Sequence, residues 1–302
     1  VSIDGSTDGT PQMLAALSLP YTLRVIEQPH RGRAAACNAG LALARGEVVI
    51  VLDDDMEAGF ELIERHRRHH SGNSRVCVLG AVPVRVSRRG SRAARHVAAR
   101  FDSHLRNISQ PGHVFVARDF YSGNTSLSTE TLRSLGGFDT SFEVYGNEDV
   151  ELGIRLRAAG VEIRYDPSAL AIQHYDKHLR ELARDTLAKG MSTVQLARAH
   201  PEAFDDLRLA QPRDGSRAWL AARTILIALT RRWPSLSTLV FGLAATLERL
   251  GLGRLATFYR VLLDYAFWTG VDTALPSAGG PPQLSQLAAE LHRGPLDLLL
   301  HR

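Results

Sequence analysis

Three short stretches of this sequence carry side chains that could do chemistry, and all three are acidic. Asp53-Asp54-Asp55 follows directly on an apolar run at residues 48–52. Three adjacent carboxylates repel one another unless solvent or a cation screens them. In an extended chain alternate side chains share a face, so Asp53 and Asp55 are expected to point one way and Asp54 the other. Paired carboxylates suit a hard divalent cation that also holds phosphate oxygens; the same residues also read as a solvated acidic turn. The second stretch is Asp4-Gly5-Ser6-Thr7-Asp8-Gly9-Thr10. Its carboxylates, the Ser6 hydroxyl and its free amides could grip the polar edge of a base or ribose, or form an Asx-turn and a helix cap. The third is Gly136-Gly137-Phe138-Asp139, followed by Asn147-Glu148-Asp149. Glu148 and Asp149 open a helix that ends at Gly160, where the macrodipole favours the ionised form. An ionised carboxylate at a cleft edge is what a general base requires; charge complementarity at a helix start is the plainer account.

These residues need a scaffold. The apolar run 48–52 is what a strand buried on both faces of a parallel sheet looks like, and ligands bind at the carboxyl ends of such strands. Thr10-Pro11 opens a helix to about residue 17. A short strand is expected near 23–26, an Ala-rich helix over 33–44, a helix near 60–70, a strand over 76–86 and another over 169–172. Strands alternating with helices predict an open α/β sheet. Beyond 178 the strand pattern stops, and apolar runs at 219–229, 236–247 and 255–267 predict helices. The longest uncharged run there, 233–247, is 15 residues and contains Pro234, short of the roughly 20 that a membrane-spanning helix needs. Residues 276–282, rich in Pro and Gly, read as a loop or linker. The expected organisation is therefore a catalytic domain over 1–178 and a helical extension over 179–302.

Composition excludes some chemistries. The 302 residues hold 34 Arg and only two Lys, Lys177 and Lys189, a poor basis for Schiff-base or P-loop chemistry, each of which needs a well-placed amine. Two cysteines, Cys37 and Cys77, make no disulfide framework. Residues 65–101 contain ten Arg and no Asp or Glu. Without interleaved aromatics or a binding motif, nucleic acid ranks low as a partner; a solvated, codon-driven Arg surface and one that attracts anionic lipid headgroups or a lipid-phosphate-linked acceptor both remain. His66, His69 and His70 lie at helical spacing among arginines that would repel a cation, so they are expected on a solvated helix end.

The order and spacing of the acidic stretches form one pattern: an Asp-Gly-Ser-Thr-Asp-Gly turn, an Asp-x-Asp after an apolar strand, then Gly-Gly-Phe-Asp and Glu-Asp. Over residues 1–174 the chain resembles the family 2 glycosyltransferases of the GT-A fold. Residues 136–156 look like the C-terminal module shared by galactosyltransferases and bacterial polysaccharide-chain polymerases. The resemblance implies an α/β, GT-A type open and mostly parallel sheet flanked by helices, followed here by a helical extension. It implies a metal-dependent, inverting transfer of sugar from a UDP, GDP or dTDP sugar to a hydroxyl of a glycan or lipid-linked acceptor. The setting would be cell-surface polysaccharide or glycolipid synthesis in the cytoplasm, with peripheral contact at the inner face of the membrane.

Carried over by position, Asp149, with Glu148, matches the base, and Asp55, Asp53 and His174 match the site of a Mn²⁺ or Mg²⁺ ion. Asp4, Ser6, Asp8, Arg33, Asn38, Asp53, Asp54, Gly123 and Asn124 match donor-binding positions, and Gly136, Gly137, Phe138 and Asp139 an acceptor pocket. Two departures stand out. Cys37 occupies the place where the family carries an Arg before Asn38, leaving Arg33 or Arg31 to supply that charge. The family's first strand and helix would precede Val1, so the domain is expected to be truncated at its N-terminus. The rival readings are a non-catalytic relative and a sugar-nucleotide nucleotidyltransferase.

Overall fold

The computed structural model describes residues 1–72, 75–251, 256–275 and 287; the expected loop or linker at 276–282 lies outside the described residues. The chain begins β1 (Ser2–Asp4), α1 (Thr10–Ala15), β2 (Ile26–Gln28), α2 (Arg33–Leu43), β3 (Val48–Leu52), β4 (Met56–Ala58), α3 (Leu62–His70) and β5 (Val76–Gly80). It continues with β6 (Val84–Arg85), α4 (Arg92–Ile108), β7 (Asn124–Ser128), α5 (Thr129–Ser134), α6 (Glu148–Ala158), β8 (Glu162–Asp166) and β9 (Ala171–His174). The helices α7 (Leu179–Ala199), α8 (Arg217–Arg232), α9 (Ser235–Arg249) and α10 (Ala256–Ala274) follow. Two compact units result: Val1–Pro83 with Ser103–His174, and Val84–Asp102 with the described residues from Tyr175 onward.

The first unit is mixed α/β. Its four-stranded sheet has the order β3-β7-β5-β8. β5 and β8 are parallel, but β7 runs antiparallel to both neighbours. β1 and β2 form a separate parallel pair, and β4 and β9 pair antiparallel. The sheet is thus mixed in sense rather than mostly parallel. An apolar run reports burial and not strand direction, and β7 enters beside β3 from the opposite end. β3 itself is only half-buried, with Leu52 39% exposed. The expected strand over 76–86 breaks after Gly80, ahead of Pro83, which has no N–H to donate to a ladder. Leu79, Phe120, Leu127, Leu132, Leu152 and Leu156 are buried together as the core between sheet and helices.

The histidines of α3 are not a solvated helix end. His66 is fully buried, with Nδ1 2.8 Å from Ser126 Oγ and Nε2 2.9 Å from Asn124 Oδ1. His70 Nε2 lies 2.7 Å from the same Ser126 hydroxyl, and His69 Nε2 2.9 Å from Asp166. The neighbouring arginines instead pair outward with Glu61 and Glu64. Sequence reasoning overlooked that one helix can place histidines on its buried face and arginines on the other.

The second unit is helical beyond β6. Residues 84–102, which a single cut at 178 would assign to the catalytic domain, belong here. Glu248 accepts a hydrogen bond from Ala93 N, His96 stacks on Tyr259 at 4.9 Å, and Ala93 packs with Leu179, Leu182, Leu262 and Leu263. α7 and α10 approach closely because glycines face each other's backbone. A Cβ on Gly190 would overlap the Phe267 carbonyl, and one on Gly270 the Leu187 carbonyl.

Gly270→Ala is therefore expected to destabilise the protein by about 1–3 kcal/mol through overpacking, although alanine is the better helix former. Urea unfolding followed by helical circular dichroism measures this, and an unchanged midpoint would show that the helices separate freely. A second expectation concerns acid. Burial, with His66 and His69 nearby, pushes His70 down to about 4. Above about 6.5 it is neutral in both folded and unfolded chains; as pH falls from there toward 4 only the unfolded chain takes the proton, so stability is lost in that window. His70→Gln should lose less stability than the parent between pH 7 and 5, and equal losses would place the titration elsewhere.

Candidate active site

The acidic stretch after β3 forms a turn rather than an extension of the strand. Met56 N donates to Asp53 O (3.2 Å), and Asp53 N donates to Gly123 O (3.0 Å) at the start of β7. Gly123 is held to glycine by close approach: a Cβ there would lie 2.6 Å from Asp53 Oδ2. Asp53 accepts hydrogen bonds from Arg33 Nη2 (2.6 Å) and Nε (3.2 Å). The same guanidinium donates through Nη1 to Ser122 Oγ (2.9 Å) and lies 3.5 Å from Glu148 Oε1. It also stands 5.8 Å from the centroid of the Phe138 ring. Burial would lower the pKa of Arg33, but the charges of Asp53, Cys37 and Asp149 outweigh it and keep the group protonated. One cation therefore links the turn after β3 to the acidic start of α6.

Arg33 also bears on the Cys37 departure. Cys37 lies one turn later on the same helix, with burial pushing its thiol up against the opposing effect of Arg33. Of the two arginines able to supply the charge, Arg33 reaches the carboxylates, whereas Arg31 offers its backbone N–H to Asp4 at 2.9 Å.

Asp4 is largely engaged within the protein. Its carboxylate accepts from Gln28 Nε2 (2.7 Å), Arg31 N and Gly32 N (2.8 Å), and lies 2.9 Å from His30 Nδ1. Burial raises its pKa, yet these donors and the His30 charge hold it below the usual carboxylate range. Asp8 accepts from Thr10 N (3.0 Å) at the start of α1, and Ser6 is exposed.

Asn38 clamps backbone. Its Nδ2 donates to Phe138 O and its Oδ1 accepts from Phe138 N, both at 2.8 Å. Gly136 and Gly137, both at positive φ, end α5, with Gly137 N donating to Leu132 O (2.9 Å). Arg155, which sequence reasoning passed over, donates to Leu135 O and Gly137 O while paired to buried Glu151. Asp139 accepts from Ser141 N (2.9 Å). Asn124 is fully buried; its Nδ2 donates to Ala81 O and Ala169 O, and its Oδ1 faces His66. It faces the core rather than an open cleft.

Glu148 is buried, whereas Asp149 is half-buried and accepts from Val150 N (2.8 Å). Asn147, at φ 73°, holds the only positive φ of a non-glycine among the described residues and sets the entry into α6.

The residues expected to hold a cation come near one another through the pairing of β4 with β9. β4 and β9 pair Met56 with Gln173, and His174 N donates to Asp55 O (2.9 Å). Asp55 lies in the turn that leads into β4, and its carboxylate reaches the Gln173 side chain whereas His174 meets Glu57. Asp55 accepts from Gln173 Nε2 (2.9 Å), and His174 Nε2 lies 2.8 Å from Glu57 Oε2. Burial pushes the Asp55 carboxyl up against that hydrogen bond, and the Asp53 and Asp54 charges push it further. Asp54 is exposed. Among the described residues no group of three or more His, Cys, Asp or Glu side chains is placed to hold a metal ion; the Asp53 and Asp55 carboxylates, whose charges repel, are of the type that suits a hard divalent cation. Glu57 and Gln173 carried no motif; only strand pairing reveals them.

Comparison with known proteins bears on this arrangement. Residues 1–133 match the model of glycosyl transferase family 2, and residues 103–180 match one described as the N-terminal domain of galactosyltransferase. Over its first 133 residues the chain is similar to the family 2 glycosyltransferases. The pre-mycofactocin glycosyltransferase of Mycobacterium tuberculosis is 29% identical over 185 residues, 60% of this chain and 38% of that protein. The validoxylamine A glucosyltransferase of Streptomyces hygroscopicus is 24% identical over 231 residues, 68% of this chain and 54% of that protein. The chain thus spans between about a third and just over half of these relatives. A mannosyltransferase from Pyrobaculum calidifontis, solved with GDP-Man and Mn²⁺, shares the fold with a TM-score of 0.50 at 20% identity, covering 89% of this chain and 76% of its own.

The Arg33 junction can be weighed by a double-mutant cycle. Arg33→Met is expected to cost about 1–3 kcal/mol, and Arg33→Met with Asp53→Asn less than the sum of the single changes, because the pair is coupled. Additive losses in urea unfolding would show that the contact carries no coupling.

Proposed function

We propose that the first unit transfers a sugar, with inversion, from a nucleotide-diphosphate sugar to a hydroxyl of a glycan or lipid-linked acceptor. The observation that carries this reading is the Arg33 junction, which brings the Asp53 turn within reach of the same guanidinium as Glu148. The match of residues 1–133 to a glycosyltransferase family supports it. Asp53, Asp55 and His174 would hold a Mn²⁺ or Mg²⁺ ion once Gln173 and Glu57 give way. Such an ion supplies neutralising charge for a diphosphate leaving group.

The chain's own residues do the rest. Asp4 keeps the segment 28–32 folded under the start of α2, where the backbone N–H groups of a helix N-terminus favour an anion. Gly123 leaves the Asp53 carboxylate room to move. Asn38 and Arg155 fix the Gly136–Phe138 backbone as one wall of the acceptor pocket. Asp149, accepting the Val150 N–H on Oδ1, has Oδ2 free to take the acceptor's hydroxyl proton as it attacks the anomeric carbon. Glu148, facing Arg33, holds the start of α6 in place. The reaction belongs in the cytoplasm, at the membrane surface where the acceptor is lipid-linked, in polysaccharide or glycolipid synthesis.

Asp149→Asn is expected to lower transfer by about 10²–10⁴-fold, the usual range for a lost general base, while leaving Mn²⁺-dependent nucleotide-sugar binding within a few-fold of the parent. Calorimetry and product assay on the same preparation measure both; parallel loss of binding would remove Asp149 from the role of base.

A further inference from the structure

Two helices of the second unit carry large apolar side chains that are exposed among the described residues. On α8, Ile225 and Leu229 lie four residues apart and are 60% and 38% exposed, and Trp233, which follows the last residue of the helix, is 55% exposed; on α9, Leu239 and Leu243 are 67% and 58% exposed. Residues at this spacing share one helix face. The same two helices, with α10, line an open apolar depression of about 380 Å³ through Trp219, Leu226, Val240, Phe258 and Val261.

Arginine outnumbers acid on these helices, although the exposed Asp214 precedes α8. Arg217, Arg232, Arg249 and Arg260 are exposed, as is Arg180 of α7, whose guanidinium lies near Gly242 of α9. α8 contains no Asp or Glu. The acidic groups of α9 and α10 are engaged within the unit. Glu248 accepts from Ala93 N and Tyr259 Oη, Asp264 from Arg208, Arg223 and the Trp219 indole, and Asp272 from Arg231.

A two-fold contact between copies would oppose this face to itself, setting arginine against arginine. An anionic bilayer offers phosphates to the arginines and acyl chains to the leucines. Arginine stems can lie along apolar surface while their heads meet phosphate, and Trp is favoured at that boundary. α8, at 16 residues, is about 24 Å long, shorter than the roughly 30 Å hydrocarbon core. No helix among the described residues is long and apolar enough to cross a membrane. A basic, apolar helix pair of this length lies in the interface plane.

We propose that the α8–α9 face docks on an anionic lipid bilayer, with Trp233, Leu239 and Leu243 entering the acyl boundary and Arg217, Arg232 and Arg249 meeting lipid phosphates. This assigns the peripheral membrane contact to one face and is independent of the transfer chemistry.

The full chain is sedimented with vesicles of phosphatidylcholine alone and of phosphatidylcholine with 30% phosphatidylglycerol, while Trp emission is recorded. Binding at least tenfold stronger to the anionic vesicles is expected, with a blue shift that Trp233→Phe abolishes. Leu239→Glu/Leu243→Glu should weaken binding at least tenfold. Arg217→Gln/Arg232→Gln/Arg249→Gln should remove the preference for anionic lipid, and because its changes are all on the surface it serves should the leucine variant fail to fold. Asp149→Asn should bind vesicles like the parent, so loss of transfer and loss of docking are read separately. Absence of binding to anionic vesicles, binding without a blue shift, or leucine variants that bind normally would each overturn the proposal. So would light scattering that shows a dimer broken by the leucine variant without any vesicle binding.

Discussion

One guanidinium holds two acidic segments in the same place. Asp53 directly follows β3, Glu148 begins a helix nearly a hundred residues later, and Arg33 contacts both. Two carboxylates about 4 Å apart repel by roughly 4 kcal/mol at an effective dielectric near 20, so such segments do not share a cleft without a cation between them. Arg33 stands at the first position of α2, where its own charge opposes the helix dipole. Asp4, accepting the N–H groups of Arg31 and Gly32 just outside that helix, and Asp53 beyond it offset the conflict. The next turn of α2 carries Asn38, whose reciprocal bonds to Phe138 fasten the glycine-rich loop to the same helix. The candidate site is thus arranged around α2 although most of its acidic residues lie elsewhere.

The second unit solves a related problem in a drier setting. Asp264 is buried with Arg223 and receives Arg208, Arg223 and the Trp219 indole, while the two arginines lie over Phe267 and Trp268. A buried charge is tolerated only when partnered on several sides, and here the partners come from α8, α10 and the segment before α8. The ionic cluster, together with the glycine contact of α7 and α10, specifies how these helices pack; their outward faces are left for another surface.

Much of the fold was legible in the sequence. Helices α2, α6, α8, α9 and α10 fall where apolar periodicity, glycine stops and acidic first turns put them, because those signals act within a few residues. Strand sense was not legible: the apolar run of β3 looks the same whether its neighbour runs with it or against it. The histidines of α3 were misjudged for a similar reason, since the arginines that made the helix look solvated occupy its other face. Asn38 and Asn124, both placed at the donor by resemblance, also hydrogen-bond within the protein, Asn38 to the Phe138 backbone and Asn124 to two carbonyls and His66, which a residue type alone does not reveal.

The sequence by itself determined the α/β class, the helical extension, the likeness of its first part to family 2 glycosyltransferases and the three acidic stretches, because each is written in local pattern or in motif spacing. Tertiary structure alone decided that Arg33 rather than Arg31 serves the carboxylates, that Glu57 and Gln173 stand beside His174 and Asp55, and that residues 84–102 pack with the C-terminal helices. Each of these is a contact between residues far apart in the chain, set by strand register or helix packing, and the energy of such a contact depends on geometry that no short stretch of sequence contains.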